Sequence, residues 1–170
     1  ESAAHLFLCE HPPVVTCGRR TKPENLLLSP AAFANRGIEV REIQRGGDVT
    51  YHGPGQLMIY PVIRVGMRVN DFMHGVGQVL SEYLASLGLE GAAWEREDAG
   101  VWYEGRKLAA CGLHLRRGVT IHGFALNLST PASAWQCIVP CGLVGKGPVS
   151  VETLLGKGAP SVEESAAALR

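Results

Sequence analysis

Apolar residues along the chain fall into two kinds of spacing, short continuous or alternating runs that predict strands and one long stretch at steps of three and four that predicts a helix. Leu6 to Cys9 suits a buried strand, and the following His11-Pro12-Pro13 and Cys17-Gly18-Arg19-Arg20 segments have the character of irregular loop. Ser29 is placed to cap a brief helix through Ala34 that stops at Gly37, after which Ile38, Val40 and Ile43 predict a strand running into Arg45-Gly46-Gly47. Gln56 to Ile63 is β-like, with Pro61 predicting an edge position or an early strand end. The clearest helix starts at Asn70 as N-cap and carries Phe72, Val76, Val79, Leu80, Tyr83, Leu84 and Leu87 before Gly88. Three strands follow, Gly100 to Tyr103, Lys107 to Leu115 and Val119 to Leu128, joined by Glu104-Gly105-Arg106 and Arg116-Arg117-Gly118 turns into an antiparallel meander. Val149 to Leu155 reads as a short helical turn, and Ser161-Val162-Glu163-Glu164 is a capping box opening a final helix. The sum is an α+β fold, one domain over residues 1–170, with a mixed or antiparallel sheet flanked by helices.

Composition narrows the function classes. Hydrophobic residues make up 46% of the 170 and charged residues 19%, enough apolar material for a core and far from a disordered composition. Sixteen basic side chains balance sixteen acidic ones, which argues against a protein that sheathes nucleic acid or lies on an anionic membrane. No apolar run approaches the roughly 18 residues of a membrane span and no signal-like segment opens the chain, so a soluble, cytoplasmic protein is expected. Five cysteines, odd in number and without CxxC pairs, fit free thiols in a reducing compartment, one of them a candidate nucleophile.

Four segments concentrate chemistry. Arg45 to Gln56 packs four glycines, a proline, an arginine and a histidine between two strands; it is either an elaborate turn or a place where backbone N–H groups approach a ligand. No GK[ST] follows, so it is not a P-loop. In Gly105 to Gly112, Lys107 begins an otherwise apolar strand, either snorkelling to water or serving a site. In Ile121 to Asn127, His122 and Asn127 lie five apart in an apolar strand, where each is a satisfied core polar group or a functional one. In Cys137 to Gly142, Pro140 and Gly142 flank Cys141 as they would a nucleophile; a metal shared by Cys137 and Cys141 has no recognised zinc spacing behind it.

Together these segments resemble the lipoate-biosynthesis octanoyltransferases, also called lipoyl(octanoyl)transferases, relatives of lipoate and biotin protein ligases. The resemblance runs through Glu10 to Thr16, Arg45 to Gln56, Gly105-Arg106-Lys107, His122 to Asn127 and Ile138 to Gly142 in that order. It implies a catalytic domain of the biotin/lipoate ligase type that moves an octanoyl group from octanoyl-acyl carrier protein, through a thioester on Cys141, to a lysine. The acceptor lysine belongs to a lipoyl domain of an oxoacid dehydrogenase complex or to the glycine-cleavage H protein. The resemblance implies that Lys107 pairs with Cys141. It assigns acyl binding to Arg45, Gly46, Gly47, Asp48, Val49, Thr50, Tyr51 and His52, to Ala110, Cys111 and Gly112, and to Gly123, Phe124 and Ala125. No cofactor, metal or ATP is expected, nor any nucleic acid or membrane partner.

The physical chemistry agrees with those roles. A free thiol has a pKa of about 8.5, and a nearby ammonium lowers it. Proximity of Lys107 and Cys141 comes from the resemblance, since thirty-three residues separate them. Six buried methylenes at roughly 0.8 kcal/mol each supply about 5 kcal/mol toward holding the acyl chain. Arg19, Arg20 and Lys22, with Arg116 and Arg117, are either carrier-protein contacts or ordinary solvated charge. Family members carry extra residues before the first apolar strand, so the chain is expected to lack its natural start. Val15 replaces a usual aromatic, and it, Cys17 and Cys111 read as packing substitutions. Three rival readings remain: an ATP-dependent lipoate or biotin ligase on the same fold, an amidotransferase that takes its acyl group from a lipoyl-type domain, and a non-catalytic binder of acylated partners.

Overall fold

Short strands separated by turn residues pair into a six-stranded sheet, a three-stranded sheet and a two-stranded hairpin in a computed structural model that describes residues 4–66, 68–140 and 147–170. The strands in chain order are β1 (His5–Cys9), β2 (Val14–Cys17), β3 (Glu39–Glu42), β4 (Val49–His52), β5 (Gln56–Val62), β6 (Ala93–Glu95), β7 (Gly100–Tyr103), β8 (Arg106–Cys111), β9 (His114–Arg116), β10 (Val119–Ile121) and β11 (Phe124–Asn127). The helices are α1 (Pro30–Asn35), α2 (Val69–Ser86), α3 (Val151–Leu155) and α4 (Val162–Ala168). The large sheet has the order β1-β5-β11-β8-β7-β6 with every neighbouring pair antiparallel. The small one, β3-β2-β4, is mixed, with β2 parallel to β3 and antiparallel to β4.

One face of the large sheet is covered by α2, whose Leu80 and Leu84 bury against Leu57 and Ile59 of β5, Leu108 and Ala109 of β8, and Phe124 and Leu126 of β11. The period-3.6 stripe of α2 and the period-2 stripe of the strands thus meet in one core. A second, smaller cluster on the other side of the small sheet joins Val15, Val49 and Tyr51 to Phe33, Cys137 and Ile138. Ser29 caps α1 by accepting from the Ala32 N–H, and the capping box at Ser161 and Glu164 closes both ways.

The structure corrects several expectations. The long helix begins one residue before Asn70, at Val69, with Arg68 as an N-cap whose side chain makes no capping bond. Val79, assigned to its apolar face, is 54% exposed. β5 is interior to the sheet, and Pro61 is tolerated because it lies two residues beyond Ile59, where pairing with β11 stops. The strand expected over Lys107 to Leu115 breaks after Cys111, and the one over Val119 to Leu128 breaks at His122, which holds a left-handed φ of 60°. The resulting β9–β10 hairpin pairs outside the large sheet and is bonded to the end of β5, where the Thr120 N–H donates to the Ile63 carbonyl. β4 lies inside the segment expected as an elaborate turn or ligand approach, β2 runs between the two segments expected as irregular loop and takes Cys17 from the second, and β6 was not expected.

Candidate active site

Between the two sheets lies a cavity of about 420 Å³. Its floor comes from the face of the large sheet opposite α2, where Met58, Ala125 and Ala110 lie side by side across β5, β11 and β8. Two alanines in adjacent strands leave open volume that larger side chains would fill. Gly123, just before β11, answers a different need, close approach of the main chain to β5, because a Cβ there would come within 1.9 Å of the Ile59 carbonyl oxygen. The opposing wall is the small sheet, which divides its residues by alternation. Val14 and Thr16 of β2 and Thr50 and His52 of β4 line the cavity, while Val15, Val49 and Tyr51 turn into the second cluster. Glu39 and Arg41 of β3 also line it.

Eleven of the fourteen expected acyl-binding residues border this space: Arg45, Gly46, Gly47, Thr50 and His52 from the glycine-rich segment, Ala110, Cys111 and Gly112 after it, then Gly123, Phe124 and Ala125. Val49, Tyr51 and Asp48 stand outside the lining. Asp48 instead braces the neighbouring loop, accepting from the Lys22 and Val49 main-chain N–H groups and from Asn25. His11 and Thr16, which lie in a family motif but carry no binding role in the sequence reading, also line the cavity, as do Met58 and Tyr60, which the sequence did not single out. Their signal is tertiary, since His11 Nε2 reaches the Tyr60 hydroxyl at 2.8 Å across forty-nine residues of chain.

The polar wall is held by a buried arginine. Arg45 is 7% exposed. Its Nε donates to Thr16 Oγ1 at 2.9 Å, its Nη1 to the Gly46 carbonyl at 2.9 Å and its Nη2 to the Thr16 carbonyl. Thr16 Oγ1 in turn lies 3.3 Å from His52 Nε2. Burial depresses the His52 pKa to about 4; the hydrogen bond to Gln56 opposes that shift, and the charges of Arg45, His11 and His122 add to it. The ring is therefore neutral at pH 7. Burial likewise lowers His122 and raises the Cys111 thiol to about 12, the latter against a backbone hydrogen bond at Leu113 and the charge of Lys107. Cys111 is thus a thiol in the cavity wall and not a thiolate.

Lys107 reaches the cavity side of the sheet through a bulge. Val101 pairs with Ala109 but Trp102 pairs with Lys107, so Leu108 is the extra residue in β8. In an unbroken strand Lys107 would share the face of Ala109 and enter the core. The bulge leaves both Leu108 and Ala109 in the core and turns Lys107 to the face of Gly100 and Ala110. Gly100 gives its stem room, for a Cβ there would stand 3.1 Å from Lys107 Cε. The Lys107 ammonium rests 4.6 Å from the centre of the Trp102 ring. Lys107 is 8% exposed and is not among the cavity's described lining residues. Its main chain is bonded to the segment after the candidate nucleophile: its N–H donates to the Gly147 carbonyl at 3.3 Å, and its carbonyl accepts from Val149 at 3.0 Å. Cys141 itself lies outside the described residues. Cys137 is buried and its Sγ approaches the Ala134 carbonyl. Among the described residues no group of three His, Cys, Asp or Glu side chains is placed to hold a metal ion. Nor, among them, is any helix long and apolar enough to cross a membrane.

The same arrangement of strands and helices occurs in solved lipoate protein ligases. A bi-partite lipoate protein ligase of Thermoplasma acidophilum superposes with a TM-score of 0.79 at 18% identity, over 99% of this chain and 69% of that one. That likeness establishes the fold. The family model described as lipoyl protein ligase A/B catalytic domain matches residues 1–170. The octanoyltransferase of Caldicellulosiruptor saccharolyticus is 42% identical over 156 residues, 89% of this chain and 66% of that protein. That of Alkaliphilus metalliredigens is 42% identical over 154 residues, 89% of this chain and 71% of that protein. The chain belongs to the octanoyltransferase family, a family of acyltransferases on the lipoate/biotin ligase fold. It spans about two thirds of the length of these curated relatives.

Proposed function

We propose that this chain is the catalytic domain of an octanoyl-[acyl carrier protein]:protein N-octanoyltransferase. The Cys141 thiolate attacks the thioester carbonyl of octanoyl-acyl carrier protein. Collapse of the tetrahedral intermediate expels the phosphopantetheine thiolate, which takes up a proton, and leaves octanoyl-Cys141. The amine of an acceptor lysine on a lipoyl domain or glycine-cleavage H protein then attacks that thioester, releasing Cys141 and forming an amide. Lys107 lowers the thiol pKa as a cation and, once it has given up its proton, accepts one from the attacking amine.

The observation that carries this reading is the apolar slot floored by Met58, Ala110 and Ala125, on the same sheet face to which the bulge turns Lys107. A linear C8 chain needs such a slot, while the thioester end needs the cation. The pairing of Lys107 with Cys141 is supported by the bonds from Lys107 to Gly147 and Val149, since Gly147 is only six residues along the chain from Cys141. Carrier-protein contact is supported by exposed Arg19 and Arg20, whose main-chain N–H groups donate to the Arg45 and Gly47 carbonyls and so stand at the cavity's edge. Intact-protein mass spectrometry tests the reading directly. Mixed with octanoyl-acyl carrier protein and no acceptor, the protein should gain one hydroxylamine-labile octanoyl group, absent in Cys141→Ser and formed slowly in Lys107→Ala. Acylation of acceptor without any such adduct would discard the thioester route.

A further inference from the structure

The cavity wall and the strand that carries Lys107 are joined by one unbroken series of buried hydrogen bonds. From Arg45 and Thr16 it reaches His52 Nε2, and on the other side of the ring His52 Nδ1 lies 2.7 Å from Gln56 Oε1. Gln56 Nε2 donates to Asn127 Oδ1 at 2.8 Å and to the Tyr51 carbonyl at 3.3 Å. Asn127 Nδ2 donates to the Lys107 carbonyl at 3.4 Å. Gln56 and Asn127 are cross-strand partners at the end of the β5–β11 ladder and are 1% and 3% exposed.

The chemistry of the ends sets the sense of the series, the guanidinium that of the first bond and the carbonyl that of the others. A guanidinium only donates and a main-chain carbonyl only accepts. The Lys107 carbonyl fixes the rest: Asn127 Nδ2 donates to it, so Asn127 Oδ1 accepts from Gln56 Nε2 and Gln56 Oε1 is the atom that faces His52 Nδ1. His52 therefore carries its proton on Nδ1 and donates it to Gln56 Oε1, which leaves the Nε2 of the neutral ring to accept from the Thr16 hydroxyl, itself an acceptor from Arg45 Nε. Reversing one member leaves two donors or two acceptors face to face in a buried place, a costly arrangement. The series ends on the main chain beside the bulge, at the one carbonyl that Val149 also binds.

We propose that Gln56 and Asn127, held in one sense by His52 and Thr16, are positioning residues that pin the bulged main chain so that the Lys107 stem leaves β8 over Gly100 toward the cavity face. The inference rests on Lys107 acting in acyl transfer. It requires a neutral His52 with Nδ1–H, and the charged and titratable groups facing that ring are Arg45, His11 and His122.

Three measurements test it: the maximal rate of acyl-enzyme formation, the KM for octanoyl-acyl carrier protein, and the His52 tautomer by nitrogen NMR. Wild type should show the Nδ1–H tautomer at pH 7. Gln56→Glu keeps the shape but cannot donate to Asn127. Its maximal rate should fall about tenfold or more with KM within about twofold, because a misplacement of about 1 Å can cost on the order of 10²-fold. Thr16→Val should lower the rate in the same way, and Thr16→Ser, which keeps the hydroxyl, should restore most of it. An Nε2–H tautomer in wild type, a full rate in folded Gln56→Glu, or a loss confined to KM would overturn the proposal. If Gln56→Glu does not fold, a Thr16→Val rate equal to that of Thr16→Ser overturns it instead. Full-rate acylation by Lys107→Ala would sink the functional reading and the inference with it, whereas a slow Lys107→Ala beside an unaffected Gln56→Glu sinks the inference alone.

Discussion

β3 and β4 are the two outer strands of the same three-stranded sheet, both four residues long and both paired to β2, yet all four residues of β3 are exposed and all four of β4 are buried. Composition matches the outcome, Glu-Val-Arg-Glu against Val-Thr-Tyr-His, but position produces it. β4 is sandwiched between the cavity and the second cluster, so its even residues meet one and its odd residues the other. β3 is the outer edge, with charged side chains that also discourage strand addition. The same division separates Arg41 from Arg45, two arginines four residues apart. Arg41 pairs with Glu39 in solvent, with a side chain 64% exposed, whereas Arg45 is buried and bonds to Thr16 and Gly46. Pairing to the same strand does not make two strands equivalent; what covers them does.

The sharpest break in that comparison is Tyr51→Ala. The ring packs edge-on to Trp135 with centroids 5.7 Å apart and is 5% exposed, so its loss should cost about 3–5 kcal/mol, the range for large buried aromatics. Urea unfolding measures this, and a loss below about 1 kcal/mol would mean the small cluster contributes little to global stability. Next in size is the pH response of His52 on the same strand. The unfolded chain takes up a proton near 6.5 that the folded chain refuses until about 4, so stability is complete above about 6.5. It should fall by about 3 kcal/mol as pH drops through that window, with His122 adding in the same direction. In unfolding titrations of wild type and His52→Gln the stability difference should be constant above about pH 6.5 and change below it, where only wild type loses the His52 contribution; curves parallel throughout would show that His52 is not the group responsible. Smallest is Arg41→Ala on β3, expected to change stability by less than about 1 kcal/mol, since exposed ion pairs contribute little. A larger loss would show that the exposed strand carries load that its accessibility hides.

The two strands also measure how much was legible in advance. Ile38, Val40 and Ile43 located the β3 region by alternation, yet Val40 is 37% exposed. β4 was hidden because both of its faces are buried: Thr50 and His52 are polar where a pattern of apolar residues would signal burial, and glycines surround it. The glycine-rich segment was still singled out, because its four glycines and single arginine are unusual whatever their conformation. Lys107 stood out for the same reason, as a cation at the head of an apolar strand. Its face did not, because alternation counted from Ala109 puts it in the core and only the extra residue at Leu108, set by pairing with Val101 and Trp102, reverses that.

The sequence by itself determined the elements with their own local signals, namely α2 with its stripe, the caps at Ser29 and Ser161, the β7–β8 hairpin, and the family through five ordered motifs. These depend on neighbours within a few residues, where spacing is structure. Only the tertiary structure decided which faces the cavity has, that β5 is central, that Thr16 and Tyr60 belong to the wall, and that Arg45 and Lys107 stand at the two ends of one hydrogen-bond series. Those facts come from contacts between residues up to seventy-one positions apart, such as Gln56 with Asn127. Hydrogen-bond sense and burial are properties of the meeting, which neither segment encodes alone.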